Sequence, residues 1–149
     1  MITEMLLKSI FAMAASIGFG VLFNIRGKKL ILAGLGGGLG WFVYMLSLEI
    51  WQSTLIAFFL ATFLAATYSE IMAKWVGAPV STFIICGIIP LVPGGGMYYT
   101  ILSIIQRNVE GSVNNGIKTL AISGTIAVAI FSVSIITKMI QSLQQRVDR

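Results

Sequence analysis

The sequence predicts an all-α fold, a polytopic transmembrane helical bundle of about five hydrophobic segments with the fourth broken at a Pro-Gly motif. Hydrophobic residues make up 57% of the 149-residue chain and charged residues only 10%, against roughly 25% charged in an ordinary soluble domain. Mean hydropathy is +0.94. A soluble domain of this size has too few polar groups here to cover its surface, so lipid is the expected solvent. The charges stand between long apolar runs and divide the chain into segments near 9–25, 30–48, 50–69, 75–106 and 119–137, read as a single integral membrane domain.

The first segment follows Lys8. Ala12-Met13-Ala14 resembles a leader-cleavage site, but only Ser9, Ile10 and Phe11 separate it from Lys8, far short of the roughly 7–15 apolar residues of a leader core. A retained helix is expected. Segments one, two, three and five each match the roughly 17–25 residues of a membrane span.

The fourth does not. As one straight helix, 75–106 would extend about 48 Å at 1.5 Å per residue, whereas the hydrocarbon core is about 30 Å thick. Two full spans would each be too short. The segment must tilt, break or fold back, and Pro90, Pro93 and Gly94-Gly95-Gly96 mark the break.

Orientation follows the basic residues. Arg26, Lys28 and Lys29 place the first loop in the cytoplasm. With five spans, Lys74, Lys138, Arg146 and Arg149 join them, while Lys8, Arg107 and Lys118 lie outside. A re-entrant fourth segment gives a less lopsided distribution and stays open. Glu70 and Lys74 are placed as a favourable i,i+4 pair. The Gln-rich tail from Lys138 reads as a helix end entering the cytoplasm.

Small residues recur at helical spacing. Gly34, Gly36, Gly38 and Gly40 form overlapping GxxxG pairs that let helix backbones approach closely. The run fails the dinucleotide fingerprint, and Gly27-Lys28 fails the P-loop. Ala57, Ala61, Ala65 and Ser69 line one face of segment three, with shorter pairs at Ala14/Gly18 and Ala121/Thr125.

The break carries the functional expectation. Irregular backbone at membrane depth survives only inside protein or beside a hydrated cavity. A half-helix restarting near Met97 would present free N–H groups and a positive dipole end, suited to a carboxylate. Tyr98, Tyr99, Thr100 and Ser103 add hydroxyls, and Arg107 adds a charge that attracts anions. Discontinuous helices build substrate sites in secondary transporters. The competing interpretation is an interfacial helix–loop–helix with the tyrosines in an aromatic belt. No charge stands deep within a segment, which argues against a buried proton relay.

The chain has no histidine and one cysteine, Cys86. No metal site, cofactor or catalytic constellation is expected, and the protein is read as not an enzyme. The +5 net charge reflects membrane topology rather than nucleic-acid binding.

Phe23-Asn24-Ile25-Arg26, the run Gly34 to Trp41 leading to Tyr44, and Ile89-Pro90-Leu91-Val92-Pro93-Gly94-Gly95-Gly96-Met97-Tyr98 resemble the small membrane subunit of the bacterial threonine/serine exporter (ThrE-type) family. The resemblance implies multi-pass insertion in the bacterial cytoplasmic membrane and secondary export of small hydrophilic metabolites, threonine and serine or small dicarboxylates. It implies that this chain is one half of a two-part transporter whose larger, homologous half carries a soluble region. The expected partners are membrane lipid, that larger subunit and/or further copies of the chain, and a small carboxylate-bearing substrate. The competing functions are a non-transporting membrane scaffold and a homo-oligomeric pore.

Overall fold

The structure is a computed structural model and describes residues 2–147. Arg149 and the last part of the expected cytoplasmic tail lie outside the described residues. Among these residues every element is helical: α1 (Ile2–Leu22), α2 (Lys28–Trp51), α3 (Thr54–Val76), α4 (Val80–Ile88), a 3-10 turn (Ile89–Leu91), α5 (Gly94–Ile105) and α6 (Val109–Val147). Helices α1, α2, α3 and the Val109–Gln144 part of α6 are long and apolar enough to cross a membrane. The pair Val80–Leu91 and Gly94–Ile105 is also apolar enough together, but is bent by 54°.

Charges bound the apolar runs without ending the helices. Helix α1 begins at Ile2, before Lys8, and α3 continues through Glu70 and Lys74 to Val76. Gly77 ends α3 with φ 62 and donates to the Ala73 carbonyl, a left-handed cap that costs glycine little. Pro79 then opens α4, as the first helical turn tolerates a missing donor. Segment four is therefore shorter than its charge boundaries indicate. Helix α6 runs 39 residues, about 58 Å at 1.5 Å per residue, because its polar ends remain helical on both sides of the apolar stretch.

Helix α2 is central. Helix α1 lies on one side of it, α3 and α4 on the other; α6 packs against α3, and α5 touches α6 alone. Small residues permit these approaches. Gly34 faces Ile17, and a Cβ on Gly38 would stand 3.2 Å from the Ser9 carbonyl. Gly36 and Gly40 face the other way, toward Tyr68, Gly87 and Ala65. In α3, Ala57, Ala61, Ala65 and Ser69 are all wholly buried. The buried stripe of α1 is Met5, Ser9, Ala12, Ser16 and Gly20, not the expected Ala14/Gly18 face: both of those are exposed. In α6, Thr119, Ile126, Ala129 and Val133 are buried, while Ala121 is exposed.

Contacts also fix chain direction. Thr54 and Leu55, opening α3, share a groove with Lys118, Ala121 and Ile122 of α6. Further along, Phe58 and Ala61 cluster with Ile126 and Ile130. Helices α3 and α6 thus run parallel. Helix α4 runs against them: Phe83 clusters with Ala73, Gly87 lies beside Ala65 and Ser69, and Leu91 clusters with Phe58 and Ala61. Gly96 then abuts Thr119. From Val80 to Gly96 the chain travels from the end of α3 back to the level of its beginning.

Candidate functional site

The break divides into an inner and an outer part. The inner part, Ile89–Leu91, is a 3-10 turn held inside the bundle, with Leu91 wholly buried. Pro90 has no N–H, so it brings none to the Cys86 carbonyl four residues back. Its ring approaches α2 at Gly37, where a built Cβ would stand 3.4 Å from Pro90 Cγ and overlap the Ser16 side chain. Glycine at 37 therefore allows Ser16 of α1 and Pro90 to close on the same point of α2.

Ser16 is unusual here. Several buried or half-buried hydroxyls in these helices donate to a carbonyl one turn back, as Ser9 does to Met5, Ser69 to Ala65 and Thr119 to Asn115. Ser16 Oγ and Thr62 Oγ1 are buried and have no partner, although both residues are wholly enclosed. Buried polar groups are ordinarily hydrogen-bonded.

Above Ser16 on α1, a groove of about 280 Å³ opens between Lys8, Phe11, Ala12, Trp41 and Pro90. Trp41 begins an aromatic row inward: its ring lies 5.2 Å from Tyr44, which lies 4.6 Å from Phe58. Lys8, Ser16, Gly37 and Trp41 were not among the residues expected to form a site. The signal was present in the repeat of small or polar residues along α1, Ser9, Ala12, Ser16 and Gly20, set within an otherwise apolar helix.

The outer part of the break differs from expectation. Helix α5 restarts at Gly94, three residues before the expected Met97. Met97 N–H donates to the Pro93 carbonyl at 3.1 Å, and Gly94 N–H to Val92 at 2.7 Å. The N–H groups of Gly95 and Gly96 are the orphans that a helix start leaves. Gly94 and Gly95 have open space around them, whereas Gly96 is pressed against Thr119 of α6. The backbone donors at this end thus belong to glycines, not Met97.

The hydroxyl residues do not converge on Pro90. Thr100 donates to Gly96 and Ser103 to Tyr99 within their own helix. Tyr98 and Tyr99 are 61% and 58% exposed and lie edge-on to each other at 5.3 Å. Arg107, with φ 56, forms the turn between α5 and α6, about 18 Å of helix beyond Gly94. This distance separates its charge from the break. Gly96 against Thr119 and Gly116 against Thr100 make α5 and the first turns of α6 a helical hairpin that extends past the start of α3.

Lys8 lies within α1 rather than at its start and is exposed. Helix α1 continues about 9 Å beyond it to Ile2. Lys8 shares its groove with Trp41, about 15 Å short of the α2 terminus at Trp51. Among the described residues, no group of three or more His, Cys, Asp or Glu could hold a metal ion. The described site offers an amine, hydroxyls and main-chain groups in apolar surroundings, which suits binding and passage of a small polar molecule.

A family model described as "Threonine/Serine exporter, ThrE" matches residues 8–136, a span that includes Lys8, the glycine run of α2 and the whole break. No solved structure matches the chain.

Proposed function

Because the chain belongs to the threonine/serine exporter family, a family of membrane transporters and not of enzymes, we propose that it is one half of a two-part secondary exporter of small hydrophilic metabolites. Threonine, serine and small dicarboxylates are the proposed substrate class, and a larger homologous membrane subunit is the proposed partner. The observation that carries this proposal is the 3-10 break around Pro90, held inside the bundle against Gly37 and the unpartnered Ser16 hydroxyl. Main chain of this kind at membrane depth is tolerated where it is buried in protein or lines a hydrated path, and broken helices commonly form the binding sites of secondary transporters.

In this mechanism the substrate meets the groove beside Pro90, then the free N–H groups opening α5 at Gly95 and Gly96. The positive end of the α5 dipole favours a carboxylate there. Tyr98 and Tyr99 belong to the exposed side of the α5–α6 hairpin and shape the partner-facing side of the path, while Thr100 and Ser103 lie on the side of α5 that faces α6. The half-transporter proposal has separate support. Helix α5 touches only α6 among the described helices, and Met97, Ile101, Ile104 and Ile105 are exposed. This apolar face suits lipid or a second membrane subunit in the bacterial cytoplasmic membrane.

The test is substrate-resolved flux in liposomes, with the full chain alone and with its homologous partner. Threonine flux from the pair and none from either alone is expected. Flux from the chain alone would instead indicate a homo-oligomeric pore, and no flux from the pair would leave a scaffold. Gly95→Leu has room to fold. It is expected to reduce export by about tenfold, corresponding to about 1.4 kcal/mol at the rate-determining step. Wild-type export at normal expression would remove the break from the pathway.

A further inference from the structure

We propose that the Lys8 ammonium is the carboxylate-binding group of the groove beside Pro90. This rests on the exporter assignment above and names the residue that would recognise the acid group of the cargo. Helix α1 places Lys8 about 9 Å in from its described N-terminal end. On the facing helix, its groove neighbour Trp41 lies about 15 Å from the end at Trp51. The contacts of Ile17 with Gly34 and of Met13 with Gly38 set Lys8 opposite the later part of α2, toward the end that Glu49 and Trp51 close, and it is exposed there beside the groove.

No counter-charge lines the groove itself, while Glu4, exposed and four residues back, is spaced to pair with Lys8 outside it. The other groove residues are Phe11, Ala12, Trp41 and Pro90, all uncharged. Glu4 lies one helical turn back on α1, and Glu49 lies about 12 Å along α2 from Trp41. Glu70 and Lys74 occupy the opposite end of α3, and Glu110 opens α6. A small anion entering the groove would gain a charge-assisted hydrogen bond in apolar surroundings. The groove's volume of about 280 Å³ lies near the lower limit, about 300 Å³, of small-molecule sites. That suits a compact metabolite.

One turn beyond Ala12, the same face of α1 carries the unpartnered Ser16 hydroxyl. This is an independent polar group with hydrogen-bonding capacity to spare behind Pro90. The favoured anion is the carboxylate of the cargo, because the groove is lined by Pro90 of the break that the proposed path follows.

The test uses membrane vesicles from cells producing the full chain at its own locus, with L-threonine and L-threoninamide as probes. Lys8 acylation by an amine reagent is read by mass spectrometry, and threonine uptake is measured in inverted vesicles. L-threonine at about nine times its half-saturating concentration should slow Lys8 acylation about tenfold, the reduction in free site at that occupancy. L-threoninamide should not slow it, and Lys118 should react equally in both. Lys8→Met should raise the half-saturating threonine concentration about tenfold and abolish the preference for acid over amide. Lys8→Arg should retain that preference.

Unchanged saturation and unchanged acid preference in Lys8→Met would overturn the proposal. So would protection that follows anionic lipid content and ignores threonine. Protection by threonine without any wild-type uptake would keep the Lys8 site and overturn the exporter assignment. Uptake with no protection at Lys8 would do the reverse.

Discussion

An unpartnered buried hydroxyl costs about 1–3 kcal/mol, and Ser16 and Thr62 both lack partners. Ser16 sits where α1, Gly37 and Pro90 meet, so its hydroxyl has a place in the proposed path. Ser16→Ala removes the polar group while leaving its Cβ, the atom that a side chain at Gly37 would also strike at 2.8 Å. We expect its thermal midpoint in detergent to equal or exceed that of the wild type, while threonine export falls about tenfold, equivalent to about 1.4 kcal/mol. Lost stability with intact export would make Ser16 a packing residue. At this scale the sequence revealed the break and not its neighbours. Pro90 and Gly94 to Gly96 announce themselves by backbone chemistry. Ser16 and Lys8 acquire meaning only through what faces them, and their contacts with Gly37, Trp41 and Pro90 cross between separate helices.

Within the elements, three consecutive glycines of similar sequence appearance have different physical surroundings. Gly94 and Gly95 have nothing within reach of an added Cβ, while Gly96 would drive one into Thr119. Gly95→Ala should therefore leave stability equal or up to about 1 kcal/mol higher, the usual helix gain over glycine. Gly96→Ala should cost about 1–3 kcal/mol as an overpacked contact and loosen α5 from α6. Thermal unfolding of the detergent-solubilised chain compares the two; equal midpoints would refute the close α5–α6 contact. The helix start at Gly94 instead of Met97 has the same origin, since the Pro93 carbonyl already accepts from Met97. Element existence was legible from apolar length, because span length is set by the bilayer. Element ends were not. Lys74 stays inside α3 and Gly77 stops it, so a charge bounded the apolar run and a left-handed cap ended the helix.

For the whole molecule, the sequence left open whether the fourth segment crosses, and side-chain contacts across helices decide the direction of travel. Helices α3 and α6 run parallel, with Thr54 and Leu55 beside Lys118 and Phe58 beside Ile126. Two parallel neighbours require the chain between them to return to the starting side. The bent pair α4–α5 makes that return, with Leu91 at the depth of Ala61 and Gly96 at Thr119. A re-entrant segment would instead begin α6 on the side where α3 ends and make the two antiparallel. Single-cysteine variants separate these arrangements, and native Cys86 is buried, which keeps its background labelling low. Ser81, Gln106 and Ser142 are exposed, at the start of α4, the end of α5 and late in α6. With an impermeant thiol reagent, Ser81→Cys and Ser142→Cys should label from one side of the membrane and Gln106→Cys from the other. Basic loops favour the cytoplasm, and Arg26, Lys28 and Lys74 share the Ser81 end. Intact cells should therefore label only Gln106→Cys. Labelling of Ser81→Cys and Gln106→Cys from the same side would mean that the Pro90 break turns back within the bilayer, and the continuous path proposed through it would be lost.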